Sequence, residues 1–348
     1  MMLLNTIVAG CSFLVTCLKQ PATSDQQRVT SNRNGLNQRG MALILALLVV
    51  AILTTAILDF TIGSRVNLTL AGHAASYCQA MAAAQSGVNF ALVALQEETA
   101  KYISLDQHWA NFSQYTGMSE KLFIQGRFTG NIFDLNARIN INKLAANTPD
   151  PTTLGQLERL FDVLGLERQL IDGILDYVTP GDTPRPYGAK NSYYRSLDPP
   201  YSCKNAPLDD LSELLLVKGM TREIYYGRKE KNGQKIVPGL SEFLTVKSDG
   251  LINVNTAPEE VLAALFKPPD ISLARTIIAH RRETPLKITQ DLLQVPGVKE
   301  AGLPSNTTCT SHFFSIRITG FSGEASCDIA TNVNLSNNQV GLLTWRVF

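Results

Sequence analysis

Gln38-Arg39-Gly40-Met41-Ala42-Leu43-Ile44-Leu45 decides how this chain is read, because basic residues and a glycine run straight into an apolar stretch. Met41 to Leu58 carries no charged residue, and Asp59 ends the run. At ~1.5 Å rise per residue these positions make a helix of about 27 Å, close to the ~30 Å hydrocarbon core of a bilayer. Arg28, Arg33 and Arg39 precede it. That excess of positive charge predicts a cytoplasmic N-terminus and an exported remainder.

Past Asp59 the pattern turns amphipathic. Val66, Leu70, Ala74, Tyr77, Met81, Ala84, Val88, Leu92 and Leu95 recur at steps of three or four, the signature of one helix stripe. A helix from Met41 to about Gln96 would be roughly 80 Å long. Gly63, Gly72 and Gly87 would each cost it about 1 kcal/mol. A single-pass anchor with a stalk helix is the plain reading, but it leaves the Arg-Gly-Met junction unexplained.

The rest reads as strands flanking a helical block. Phe123–Thr129 and Ile132–Ile139 flank Gly130-Asn131, which predicts a hairpin turn. Phe313–Thr319 and Asp328–Leu335 alternate about a turn at Gly320–Gly323, and Leu342–Phe348 closes the chain. Between them, stripes at Leu154, Leu157, Leu160, Phe161 and Leu164, at Leu170, Ile174 and Tyr177, and at Leu273, Ile277 and Ile278 predict short helices. Pro258-Glu259-Glu260 opens another, with proline and acids where a helix N-terminus favours them. Asp209, Asp210 and Glu213 read as helix-start acids. The expected architecture is α+β: a long helix against a small antiparallel sheet, with an α-domain inserted into the sheet.

Composition narrows the function classes. Lys19, Arg28, Arg33 and Arg39 against Asp25 give the first forty residues a net +3, so the whole-chain +1 leaves −2 for the remaining 308 of 348 residues. That balance is not a strongly basic nucleic-acid binder's, and the length can bury two cores. There is no P-loop, no Gly-x-Ser-x-Gly and no Cys-x-x-Cys, and His73, His108, His280 and His312 are scattered. No catalysis is expected. In the first forty residues Val8-Ala9-Gly10-Cys11 looks like a lipoprotein cleavage box, but Met1–Thr6 lacks the basic n-region of a secretory signal. A start at Val29 would leave an ordinary short basic leader.

The Gly40–Met41 junction resembles a type IV prepilin site. The resemblance implies that a membrane peptidase cuts after Gly40 and that Met41 becomes an N-methylated terminus. Most members carry glutamate at the fifth mature position; here it is Leu45. A charge near the bilayer centre costs about 2.5–3.5 kcal/mol on insertion scales, so it is worth keeping only where a partner exists. Among pseudopilins, the K class of the type II secretion system lacks that glutamate. The ordered series Asn140-Ile141-Asn142-Lys143-Leu144, Gly188-Ala189, Tyr193-Tyr194, Pro199-Pro200-Tyr201, Asn205-Ala206-Pro207, Ser212-Glu213-Leu214 and Ile252-Asn253-Val254-Asn255-Thr256-Ala257 is similar to that class over essentially all of 41–348.

The resemblance implies a type IV pilin-like fold with a leader over 1–40, a transmembrane helix over 41–60 and its amphipathic continuation over 61–100. The β-domain would occupy 101–142 and 306–348, with the inserted α-domain at 143–305. It implies an inner-membrane protein with its globular part in the periplasm, at the tip of the pseudopilus, initiating assembly and supporting protein export. The partners implied are the I- and J-class minor pseudopilins and the prepilin peptidase, with no nucleic acid. A minor pilin-like protein of a type IV pilus or DNA-uptake system is the alternative.

Three further expectations follow. Ile252–Ala257 also resembles the opening of helix-hairpin-helix DNA-binding modules. A membrane-anchored module of that kind would use Arg281, Arg282 and Lys287 on phosphate. Without it those residues form a solvated face, and the asparagines cap the helix and satisfy the turn. The K class can bind calcium in an acidic loop; here the candidates are Asp176 and Asp182, while Lys190 and Asn191 replace two expected acids. Cys78, Cys203, Cys309 and Cys327 would meet an oxidising periplasm. Of their three pairings, Cys309 with Cys327 is the first choice, against buried free thiols.

Overall fold

The apolar run continues without a break into one helix, α1, Asn37–Glu97. The structure, a computed structural model, describes residues 37–97, 102–121, 123, 126–229, 235–336 and 339–348. The Val8–Cys11 and Val29 readings lie outside the described residues. The chain divides into two units, up to Asn67 and from Leu68 onward. In the first, Met41 through Leu58 present their large apolar side chains to the surroundings. By length and composition α1 is able to cross a membrane.

In the second unit α1 lies on a four-stranded antiparallel sheet. Its strands are β1 (Arg127–Asp134), β2 (Phe313–Ser322), β3 (Ala325–Ser336) and β4 (Gln339–Val347), in that spatial order. Ala80, Ala84, Val88, Ala91 and Leu95 face Phe314, Ile316, Ile318, Cys327, Ile329 and Val333, with Trp109 and Phe112 closing one end. This is the expected pilin-like arrangement, and the helical block enters between β1 and β2.

Two glycines make that contact possible, and neither is a turn. A Cβ on Gly320 would sit 2.0 Å from the Ala80 carbonyl oxygen, and one on Gly87 would sit 2.7 Å from Ile318 Cγ2. The β2–β3 turn falls at Gly323, whose φ is 57°. The hairpin expected at Gly130-Asn131 is not there. β1 runs straight through, with Gly130 opposite Ile318 and Asn131 opposite Arg317. A Cβ at Gly130 would come within 2.3 Å of the Arg317 carbonyl oxygen. The glycine marks close approach across a strand pair.

The insert is one unit used twice. Ile139–Asn140 pairs in parallel with Leu244–Thr245, and Ile252–Asn253 with Thr307–Thr308. Each pair encloses two longer helices: α2 (Pro151–Leu164) and α3 (Gln169–Val178), then α4 (Glu259–Leu265) and α5 (Ile271–Glu283). A 3-10 turn follows each time, Leu211–Leu216 and Thr289–Gln294. Leu208, Glu213, Leu214, Val217, Gly219 and Met220 are then matched in step by Leu286, Asp291, Leu292, Val295, Gly297 and Val298. Glu213 accepts from the backbone of Asp209 and Asp210 as Asp291 does from Lys287 and Ile288. Gly219 and Gly297 both hold positive φ, 84° and 90°. The two copies share one apolar core, from Ile139 and Leu157 to Ile277 and Val298.

Candidate functional site

Each copy is locked by an Asn-x-Asn pair. In the first, Asn140 Oδ1 accepts from Asn142 N, and Asn142 exchanges bonds with both Leu208 N and Leu208 O at 2.7 and 2.9 Å. In the second, Asn253 Oδ1 accepts from Asn255 N, and Asn255 makes the same exchange with Leu286 at 3.0 and 2.7 Å. The turn role expected of the asparagines is met. The helix-cap role is not, since Pro258 stands at the cap of α4 with no side-chain bond. Their amides instead pin the extended segment that precedes each 3-10 turn, which is how a carboxamide satisfies a buried backbone donor and acceptor together.

Asn253 reaches further than its counterpart. Its Nδ2 lies 3.0 Å from the Ile103 carbonyl, 2.7 Å from Ser311 Oγ and 3.3 Å from Asp134 Oδ2. Asp134, at the end of β1, also accepts from Thr256 Oγ1, Ser311 Oγ and Asn136 N. Asn136 Oδ1 accepts from His312 N and Phe313 N, where β2 begins. This buried knot joins the sheet to the second copy. Burial pushes the Asp134 carboxyl up to about 6, against the pull of its donors from Ser311, Thr256, Asn136 and Asn253. Nothing in the sequence singled out Asp134, because its side-chain partners Asn253, Thr256 and Ser311 lie more than a hundred positions away.

Arg281 is neither on a solvated face nor free for phosphate. Its Nη1 donates to the carbonyls of Val254 and Ala257 at 2.6 and 2.8 Å, and burial pulls its guanidinium down to about 10. Arg282 and Lys287 remain exposed.

The calcium candidates are separated by their surroundings. Asp182 is exposed, whereas Asp176 is fully buried and already paired. Arg185 donates to its carboxylate through both backbone N–H and guanidinium. Gly188 presses on the same oxygens, where a Cβ would clash with Oδ2. The Lys190 ammonium, 3 % exposed, donates to the carbonyls of Asp176 and Thr179 at 2.6 Å each and to Asn205 Oδ1 at 3.2 Å. Calcium needs six to eight oxygens with a surplus of negative charge. Here the one buried carboxylate is paired with the Arg185 guanidinium, and the neutral oxygens are taken by the Lys190 ammonium. These residues do not fit the ion.

Cys78, Cys203, Cys309 and Cys327 are free thiols. Cys309 lies in the core of the insert and Cys327 in the core between sheet and helix, so the Cys309–Cys327 bridge is not formed. Burial pushes the Cys309 thiol up to about 12, the behaviour of an inert packed side chain.

The assembly residues fall on α1. Gly40, Met41 and Leu45 are exposed on its first turns, and a Cβ on Gly40 would meet nothing within 4 Å. The amphipathic stripe divides. Ala84, Val88 and Leu95 are buried under the chain's own sheet, while Val66, Leu70, Ala74 and Tyr77 are exposed.

Family models described as type II secretion system protein K match residues 137–227 and 252–308, one in each copy of the helical unit. Type II secretion system protein K of Pseudomonas aeruginosa is 28 % identical over 260 residues, covering 71 % of this chain and 73 % of that protein. The Klebsiella pneumoniae protein is 26 % identical over 284 residues, covering 76 % and 81 %. The crystal structure of the GspK-GspI-GspJ complex from the enterotoxigenic Escherichia coli type 2 secretion system contains a chain of similar fold. The TM-score is 0.63 at 20 % identity, covering 78 % of this chain and 96 % of that one.

Proposed function

Because this chain belongs to the type II secretion system protein K family, we propose that it is a minor pseudopilin that caps the periplasmic pseudopilus, initiates its assembly and thereby supports export. The observation that carries this is the pairing of an anchor-like α1, laid on a pilin-like sheet, with two protein K units in one chain. A head enlarged by that insert would collide with a subunit stacked above it, but it is able to close a filament end. Leu45 agrees, since it offers no carboxylate to the amine of a neighbour.

Insertion leaves the N-terminus in the cytoplasm and the head in the periplasm. The peptidase cuts between Gly40 and Met41, where a side chain on residue 40 would crowd the scissile backbone, and Met41 is then methylated. Two smaller minor pseudopilins, of the I and J classes, lay their helices on the exposed stripe Val66, Leu70, Ala74 and Tyr77. Between Ala80 and Leu95 one face of the helix is covered by the chain's own sheet, while Phe90 and Val93 stay exposed.

Gly40→Val should leave full-length precursor in the membrane; mature protein beginning at Met41 would contradict the prepilin assignment. Co-expression with the neighbouring minor pseudopilins should give one detergent-stable complex with a single copy of each chain. Elution of this chain alone would count against the reading. Leu45→Glu should give no gain in assembly, because the added charge finds no amine.

A further inference from the structure

The first helical unit carries Thr179–Pro207 between α3 and Leu208, whereas only Thr284 and Pro285 separate α5 from Leu286. A segment of that length without a helix or strand longer than Asn191–Tyr194 has few ladder bonds of its own. Its polar groups are satisfied within the segment and on the last carbonyls of α3. Asn205 N donates to the Tyr177 carbonyl, Cys203 Sγ to those of Asp176 and Tyr177, and Cys203 N to Asn191 Oδ1. Tyr194 fills the centre, its ring 5.5 Å from Tyr177 and 5.3 Å from Tyr201.

Lys190 lies at the convergence of these elements. Its ammonium spans the carbonyl of Asp176 near the C-terminus of α3, the exit carbonyl at Thr179 and the returning segment at Asn205. Three oxygens from three points of the chain around one buried positive charge are the donor set of a small cation site. We propose that the Lys190 ammonium is a tethered cation that closes the 179–207 insertion, so that this chain needs and takes no divalent ion there. The Asp176 carboxylate is paired with Arg185, so the Lys190 ammonium is met by neutral oxygens alone. A divalent ion would have to displace the ammonium from both carbonyls and bring two further charges beside Arg185. An ammonium has three hydrogens for these three acceptors and leaves none unmet.

This inference does not rest on the proposed function, and it is tested on the full chain in detergent. Hydrogen exchange at 179–207 and the unfolding temperature are measured in EDTA and in millimolar calcium chloride, for wild type and Lys190→Met. Wild type should show the same protection and the same unfolding temperature in both. Lys190→Met should open the insertion ~10-fold or more, the loss expected when charge-assisted bonds are removed. A calcium-dependent rise in wild-type protection at 179–207 would overturn the proposal, as would unchanged protection in Lys190→Met. If the variant does not fold, the wild-type comparison alone decides.

Discussion

Thr284 and Pro285 are all that separates α5 from its locked segment at Leu286 in the second copy, while the first copy holds Thr179–Pro207 at the same point. The Asn-x-Asn locks of the two copies are nevertheless alike, bond for bond, at Leu208 and Leu286. What differs is where each copy sends its surplus polar groups. The second turns outward: Asn253 and Thr256 meet Asp134 of the sheet and fasten the insert to the pilin-like part. The first turns inward and spends Asp176, Lys190 and Asn205 on holding its own extra chain. One unit has become the joint and the other the elaborated head.

That division makes unequal effects of equivalent substitutions the sharpest test. Asn253→Ala strips amide bonds from Ile103, Ser311, Asp134 and Asn255 in a site with no solvent to replace them. Unmet buried groups cost about 1–3 kcal/mol each, so a loss of about 4 kcal/mol is expected. Asn140→Ala frees only Asn142 N and the Ser248 carbonyl, and about 2 kcal/mol is expected. Denaturant unfolding of both variants compares them directly. Equal losses would remove the distinction between joint and head.

The joint should also respond to pH. A carboxyl raised to about 6 in the fold, from 3.8, binds more protons folded than unfolded between those values. Its contribution is therefore fully present below about pH 4 and is lost as pH rises through about 6. The full swing corresponds to about 3 kcal/mol at most. Denaturation of wild type and Asp134→Asn from pH 4 to 7 should show the wild type losing ground with rising pH. Parallel curves would mean that Asp134 is not held as described.

The smallest effects should be the most alike. Glu213→Ala and Asp291→Ala remove the same cap from the same turn, each accepting two backbone N–H groups. About 1 kcal/mol is expected from each. A large gap between them would show that the 3-10 turns are not equivalent. Two local differences have to be allowed for: Lys204, held up at about 12 by Asp209 and Glu213, and the Asp210 side-chain cap, which Ile288 cannot supply.

The sequence carried the long helix, the stripes of α2, α3 and α5, the closing strands and the insertion of a helical domain, because each depends on local periodicity. It misled at Gly130-Asn131, where turn chemistry was read from a glycine whose reason is the Arg317 backbone on the neighbouring strand. It read Lys190 as an obstacle to a metal ion, since the carbonyls that ammonium occupies leave no mark on residue type. The duplication was open to inspection in Asn140-Ile141-Asn142 against Asn253-Val254-Asn255 and Val217-Lys218-Gly219 against Val295-Pro296-Gly297, but the 179–207 insertion disguises the spacing. Asp134 could not be found, because its site exists only once distant segments meet.

The measurement that bears most directly on the tip assignment is labelling of this chain on pseudopili assembled in its own secretion system. A single label at one filament end is the expected result. Labels repeated along the shaft would contradict it.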